Sequence, residues 1–364
     1  MALVPDHIKS LKPYQAGKPV EELKRELGLQ NIIKLASNEN PLGVSPKALE
    51  AMQNQLTEVN RYPNPDSYYL RKALARLYHV KINNVFTGHG SESIISTIMR
   101  TFMHDEDIAL TSAGTFITFR IQVQSRGVQL VEVPLKKYHF DLPAIAGRIT
   151  EKTKIIYLAN PNNPTGTIFT DREFQKFMEQ VPKQVLVLLD EAYFEFAADH
   201  PDYPDSMKYR FDNVISLRTF SKAYGLAGVR IGYGFAHENL IKNLMKIKLP
   251  FEPSLPAQAA ALAAIDDDEF LKRTVESARN GRQYFYDFFT RLGIQYIESQ
   301  ANFVTIVLDS EKLVDHIYTQ LLQRGVIIRP LKSFGMSNCI RITTGLEEEN
   351  KIFSENFEQI FNSV

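Results

Sequence analysis

The chain has 364 residues, enough for a large domain and a smaller one, and its 42 acidic residues balance 42 basic ones, which removes the cationic excess of a nucleic-acid or membrane-surface binder. Its one cysteine, Cys339, excludes an internal disulfide framework and reads as a reducing compartment. The N-terminus lacks a signal-peptide apolar run and no uncharged stretch approaches membrane-spanning length, so a soluble cytoplasmic protein is expected.

Pro5, Pro13 and Pro19 interrupt the first thirty residues, which read as an arm without regular structure. Over residues 31–250, short apolar runs alternate with helical patterns. Strands are predicted over Asp107–Ser112, Val128–Leu135, Lys154–Ala159, Val185–Asp190, Val214–Leu217 and Gly232–Ala236. The unbroken run Val185-Leu186-Val187-Leu188-Leu189 suits a strand buried on both faces. Ser91–Met103 is predicted as a helix, because Ile94, Ile95, Ile98, Met99 and Phe102 share one face. Such alternation predicts an α/β fold with a mostly parallel sheet flanked by helices. From residue 251 the texture becomes α+β: one long helix over about Pro256–Leu292, strands over Phe303–Leu308, Val326–Arg329 and Cys339–Thr343, and helices near Ser310–Arg324 and Glu347–Phe361. A smaller C-terminal domain, 251–364, is placed there.

Chemistry concentrates just after the Val214–Leu217 strand. Thr219-Phe220-Ser221-Lys222-Ala223-Tyr224-Gly225-Leu226-Ala227-Gly228-Val229-Arg230 sets two hydroxyls, a lysine and an arginine past a strand's C-terminal end, where open α/β sheets bind ligands. Ser, Thr and Arg side chains hold a phosphate dianion, and a neighbouring cation disfavours the ammonium form of Lys222, as an amine nucleophile requires. A solvated loop lysine is the bland alternative, which the clustering weakens. Asp190-Glu191-Ala192-Tyr193 ends the most apolar strand. A carboxylate carried out of a buried strand can keep a pyridine nitrogen protonated, or it can simply cap the next helix. Asn160-Pro161-Asn162-Asn163-Pro164-Thr165-Gly166 reads as a rigid turn able to present an amide. Gly88-His89-Gly90-Ser91-Glu92-Ser93 opens a helix whose free N–H groups favour an anion, although N-capping by Ser91 explains it as well. It fits neither a dinucleotide fingerprint, nor an ATP-binding loop, nor a nucleophile elbow. Phe116 can cover a flat ring, though a lone Phe is more often core. The eight histidines are scattered without ligand spacing, so no metal is expected.

In this order the motifs resemble those of fold-type I pyridoxal 5′-phosphate (PLP) enzymes of the class II aminotransferase group, nearly end to end. Within that group the chain is most similar to the histidinol-phosphate aminotransferases, on Leu11-Lys12-Pro13-Tyr14, Leu35-Ala36-Ser37-Asn38-Glu39-Asn40-Pro41-Leu42-Gly43 and Arg61-Tyr62-Pro63. The Asn163-Pro164-Thr165-Gly166 turn, Asp190-Glu191-Ala192-Tyr193 and the Arg218–Arg230 loop are shared more widely. The resemblance implies a large PLP-binding domain over 31–250, with Lys222 as the Schiff-base lysine and Asp190 on the pyridine nitrogen. Asn163 and Tyr193 would bond the ring oxygen and Phe116 would stack on the ring. It also implies phosphate binding by the backbone of Ser91 and Glu92, by Thr219, Ser221 and Arg230, and by Tyr62 from a second subunit, hence a homodimer with a shared site. Arg341 matches the group's substrate-anion arginine; Tyr14 and Arg329 match positions expected to bind a substrate phosphate. Arg329 reads equally as a structural, salt-bridged arginine. Two departures stand out. His89 and Glu92 replace the frequent Asn and Asp, and Ala113-Gly114 replaces common prolines ahead of Phe116. The expected reaction is amino transfer between histidinol phosphate and 2-oxoglutarate in histidine biosynthesis. Rival expectations are an aromatic amino-acid aminotransferase and a PLP-dependent threonine-phosphate decarboxylase. A PLP-sensing transcription factor would need a DNA-binding segment for which the short arm leaves no room.

Overall fold

The computed structural model describes residues 3–11, 18–29, 31–209 and 211–363. Its strands are β1 (Ile33–Lys34), β2 (Val85–Gly88), β3 (Ile108–Ser112), β4 (Gln129–Val133), β5 (Thr153–Ala159), β6 (Leu186–Asp190), β7 (Val214–Thr219), β8 (Gly232–Phe235), β9 (Gln295–Ile297), β10 (Phe303–Val307), β11 (Val326–Ile327), β12 (Arg329–Pro330) and β13 (Cys339–Thr343). The central sheet has the order β2-β8-β7-β6-β5-β3-β4. Strands β3 to β7 pair in parallel, and β8 runs antiparallel to both neighbours. Every residue of β6 is buried, as its uninterrupted apolar run requires of a strand covered on both faces. The main core joins this sheet to the helices Gly90–Phe102, Ile117–Arg126, Asp171–Met178 and Glu238–Ile247. The α/β architecture with a mostly parallel sheet is thus the one observed.

Strand β2 is an addition to the expected elements. Its four residues, Val-Phe-Thr-Gly, are too few to display a period, and pairing with β8 is what makes them a strand. The long helix expected over Pro256–Leu292 is two helices, Leu255–Ile265 and Asp268–Arg291. The break lies at Asp267, whose carboxylate accepts from the Phe270 N–H as an N-cap and from Ser45 Oγ at 2.5 Å. Capping offered the Asp a better use than a helix interior would. The first of the two helices lays Ala257, Ala260, Ala261 and Ala264 in one core with Ala48 of the helix Pro46–Gln55. The arm also differs from expectation, because Val20–Leu27 is helical and buries Leu23 beside Ala36 and Ile327. Pro19 sits at its N-cap, where a missing N–H costs nothing.

The C-terminal sheet, β12-β13-β10-β9, is antiparallel throughout. Phe285, Phe288, Phe289, Phe353 and Phe357 from the helices Asp268–Arg291 and Glu347–Phe361 build its core. The expected strand Val326–Arg329 is divided. β11 pairs in parallel with β1 as a separate two-stranded sheet, and β12 joins β13.

Candidate active site

Strands β5, β6 and β7 end at Ala159, Asp190 and Thr219, and all three residues line one cleft of about 620 Å3, open mouth included. This is the carboxyl edge at which parallel sheets bind ligands. The same cleft is lined by Ser91, Glu92, Phe116, Asn163, Tyr193, Ser221, Lys222 and Arg230. Eleven of the fourteen residues singled out in the sequence therefore meet there or, in the case of Arg341, touch it through Asn163.

Lys222 follows β7 by three residues, directly after Ser221, whose N–H donates to Thr219 Oγ1 at 3.1 Å and bends the chain there. Its Nζ donates to the Ser37 carbonyl at 3.2 Å and lies 5.8 Å from the centre of the Tyr193 ring. Burial lowers its pKa from 10.5 to about 8, and the nearby Arg341 and Arg230 charges push the same way. Asp190 is buried; Tyr157 Oη donates to Oδ2 at 2.8 Å and the Ala192 N–H donates to Oδ1 at 3.1 Å. Burial raises this carboxyl to about 6 against those two hydrogen bonds. A carboxylate whose bonded donors are both neutral suits a cationic guest, so the helix-cap reading of Asp190 gives way: the N-cap of the following helix is Tyr193.

The helix Gly90–Phe102 follows β2 after one residue, and its N-cap, His89, makes no side-chain cap bond. Ser91 is thus not the cap, and the first turn opens onto the cleft. Arg230 reaches the same corner in a left-handed backbone conformation, φ 57°, with Nη1 3.5 Å from Ser221 Oγ. A Cβ on Gly90 would lie 2.8 Å from Arg230 Nη2, so glycine there makes room for the guanidinium. A helix N-terminus, a guanidinium and two hydroxyls converge as a dianion seat.

Phe116 is half-buried against the main core. The Ala113-Gly114 path into it is held by Asn162, whose Nδ2 donates to the Gly114 carbonyl at 3.1 Å while its Oδ1 accepts from Thr115 Oγ1 at 2.8 Å. Asn163 Oδ1 accepts from Arg341 Nη1 at 2.5 Å, and Arg341 Nη2 donates to the Ala36 carbonyl at 2.6 Å. Arg329 is buried directly opposite Arg341 in the β12–β13 register. Tyr193 Oη accepts from Asn38 Nδ2 at 2.7 Å. Tyr62 stands apart, 80% exposed and stacked on Phe251 at 4.3 Å. Tyr14 lies outside the described residues.

Tyr157, Asn38 and Asn162 were not singled out from the sequence. A tyrosine inside an otherwise aliphatic buried strand was the available signal, since a buried phenol needs a partner. Asn38 and Asn162 fell inside motifs already noted, but nothing local says which neighbour each would hold.

The family model for aminotransferase class I and II matches residues 30–356. The chain belongs to that family. Among its relatives, histidinol-phosphate aminotransferase 2 of Carboxydothermus hydrogenoformans is 42% identical over 97% of this chain and 98% of its own. The histidinol-phosphate aminotransferase of Brevibacillus brevis is 44% identical over 94% of each. The crystal structure of the Sinorhizobium meliloti histidinol-phosphate aminotransferase, in complex with pyridoxal 5′-phosphate, superposes with a TM-score of 0.91 at 29% identity. That match covers all of this chain and 98% of the other. The cleft of this aminotransferase suits that cofactor on its own geometry: an amine of lowered pKa, a buried carboxylate held by neutral donors, and an anion seat at the opposite corner. Among the described residues no cluster of His, Cys, Asp and Glu could hold a metal, and no helix is long and apolar enough to cross a membrane.

Proposed function

We propose that this aminotransferase moves an amino group between histidinol phosphate and 2-oxoglutarate, with PLP held at Lys222. The observation that carries the reading is the placing of Lys222 Nζ, the buried Asp190 carboxylate and the Arg230 corner around one cleft, with Arg341 at its rim. Bound there, PLP supplies an aldehyde that captures amines and a protonated ring that accepts the electrons of a Cα–H bond. Asp190 would pair with the ring nitrogen through its carboxylate, which Tyr157 holds in place. The first turn at Ser91 and Glu92, with Thr219, Ser221 and Arg230, takes the phosphate. Phe116 would cover the ring, and Asn163 and Tyr193 would bond its oxygen. Lys222 Nζ, released when the substrate amine takes its place on the cofactor, would take the proton from the substrate carbon that bears nitrogen.

The substrate side rests on Arg341 and Arg329. Cross-strand neighbours place these cations side by side, which fits either the phosphate of histidinol phosphate or a carboxylate of 2-oxoglutarate. Tyr14 is assigned to the same phosphate. Tyr62 is assigned to the cofactor phosphate of a second subunit. Its exposure, shared with Val59, Tyr69, Leu249 and Phe251, supports a homodimer in which these apolar side chains are covered. Two separate cores support a division into an arm (1–30), a large domain (31–250) and a small domain (251–364), with β1 and the helix Leu255–Ile265 as crossing segments. A cytoplasmic location accords with the single cysteine, a buried free thiol whose pKa burial pushes up to about 11.

The test is to follow the visible absorbance of PLP-loaded protein while adding histidinol phosphate, phenylalanine or threonine phosphate. Bleaching by histidinol phosphate at far lower concentration is expected. Equal response to phenylalanine would favour the aromatic aminotransferase, carbon dioxide release from threonine phosphate the decarboxylase, and borohydride labelling of another lysine would overturn the site.

A further inference from the structure

Two residues of the cleft, Asp190 and Tyr193, have a chain neighbour against one buried guanidinium, and the arginine that carries it precedes a third, Thr219. Arg218, which precedes Thr219, is fully buried and donates from Nε to Oε2 of Glu191 at 2.9 Å. Glu191, which follows Asp190, is equally buried, and Ser206 Oγ also donates to its Oε2 at 2.6 Å. Phe194, which follows Tyr193, has the guanidinium over its ring, with the ring centre 3.3 Å from Arg218 Cζ. Asp205 accepts from Nη2 at 2.9 Å, and Tyr78 closes the other side at 4.9 Å. Arg218 and Thr219 are successive residues of β7, so their side chains point to opposite faces, and Thr219 lines the cleft while Arg218 is turned away from it. The Glu191 N–H donates to the Leu217 carbonyl at 2.8 Å, so the ion pair sits across the seam where β6 and β7 end.

We infer that Arg218 is a positioning residue for the cofactor cleft: by tying Glu191, Phe194 and Asp205 to the end of β7, it sets where Asp190, Tyr193 and Thr219 stand. An apolar residue would fill the space as well, and a buried ion pair is weak evidence of stability by itself. What an apolar residue cannot do is fix three backbone segments from three directions. The planar fork gives separate, directional bonds, while its face accepts an aromatic ring. The backbone ladder of β6 and β7 fixes their register only as far as the Asp190–Leu217 pair and the Glu191 N–H bond, and leaves the turns beyond to be held by side chains. Sub-ångström placement at those ends is what a site of this kind needs.

The inference rests on the PLP reading above, and the experiment separates the two. PLP-loaded wild type is compared with Arg218→Lys, which keeps the charge and loses the fork, and with the double variant Glu191→Gln/Arg218→Met, which removes both charges. Melting of the cofactor-free protein, PLP affinity, the pH midpoint of the lysine-bound absorbance, and kcat against KM are measured for each. PLP affinity about tenfold weaker or more, a displaced midpoint, and a loss in kcat exceeding any change in KM are expected. Variants that melt earlier but keep wild-type affinity, midpoint and kcat would reduce Arg218 to a structural brace and overturn the inference. Should either variant fail to fold, Phe194→Leu, which removes the stacked face and leaves both charges, is read in the same way. Wild type without a PLP absorbance at Lys222 would sink the underlying reading as well.

Discussion

The amine of Lys222 should capture PLP with a pH dependence set by the cleft that surrounds it. Its pKa is lowered from 10.5 to about 8, by burial first and by Arg341 next. The difference corresponds to about 3 kcal/mol against the ammonium form, an upper figure because the residue is only part-buried. At pH 7 roughly one amine in ten is then neutral, against about one in three thousand for an unperturbed lysine, a gain of about three hundredfold in nucleophile. The sign follows directly: a depressed lysine gains neutral amine as pH rises and saturates about one unit above its midpoint. Mixing cofactor-free protein with PLP in a stopped-flow absorbance experiment should give a capture rate that rises with pH, with its midpoint near 8. Arg341→Gln should move that midpoint upward, because it removes a charge that opposes protonation. A wild-type midpoint near 10, or one indifferent to Arg341, would refute the reasoning.

Other expectations follow from single contacts. A Cβ at Gly232 would lie 2.6 Å from the Ser91 nitrogen and 2.7 Å from the Gly90 carbonyl carbon, both backbone atoms that cannot step aside alone. Gly232→Ala should therefore shift the helix start and weaken PLP binding about tenfold or more by equilibrium titration, and unchanged affinity would remove that turn from the phosphate seat. Arg341→Gln should raise KM for both histidinol phosphate and 2-oxoglutarate by about ten- to a hundredfold, the worth of one charge-assisted bond of roughly 1.5–3 kcal/mol. A change confined to one substrate in steady-state kinetics would argue against a shared anion pocket. Glu195 is buried, and burial raises its pKa from 4.5 to about 7. Between those values the folded chain keeps a proton that the unfolded chain releases, so stability falls as pH rises through that window. The loss is on the order of 3 kcal/mol by pH 8. Glu195→Gln should accordingly melt above wild type at pH 8, with the gap shrinking toward pH 5; a gap independent of pH would contradict the assignment.

Much of the fold was legible because local pattern and tertiary role coincide in a buried parallel sheet. Strand β6 can only be what its aliphatic run dictates, and Asp190 at its end can only emerge at the carboxyl edge. The elements misread from sequence are those where a competing local option won through a distant partner. Asp267 broke a helix because Ser45 and the Phe270 N–H were both within its reach. The Val20–Leu27 helix exists in an arm with three prolines because Leu23 finds Ile327 and Ala36 to pack against. β2 is a strand because β8 lies beside it.

For the candidate site, residue type and order along the chain brought forward an amine, a carboxylate, hydroxyls and an arginine at strand and helix ends, and the fold gathers them around one cleft. What tertiary structure alone decided is how those groups are tuned and held. The Lys222 pKa depends on an arginine in the C-terminal sheet, the Asp190 carboxylate on a phenol from the neighbouring strand, and the placing of both on a guanidinium beneath the sheet edge. Local sequence sets which atoms are present; charge–charge energies and hydrogen bonds depend on distances through space, and only the folded chain supplies those.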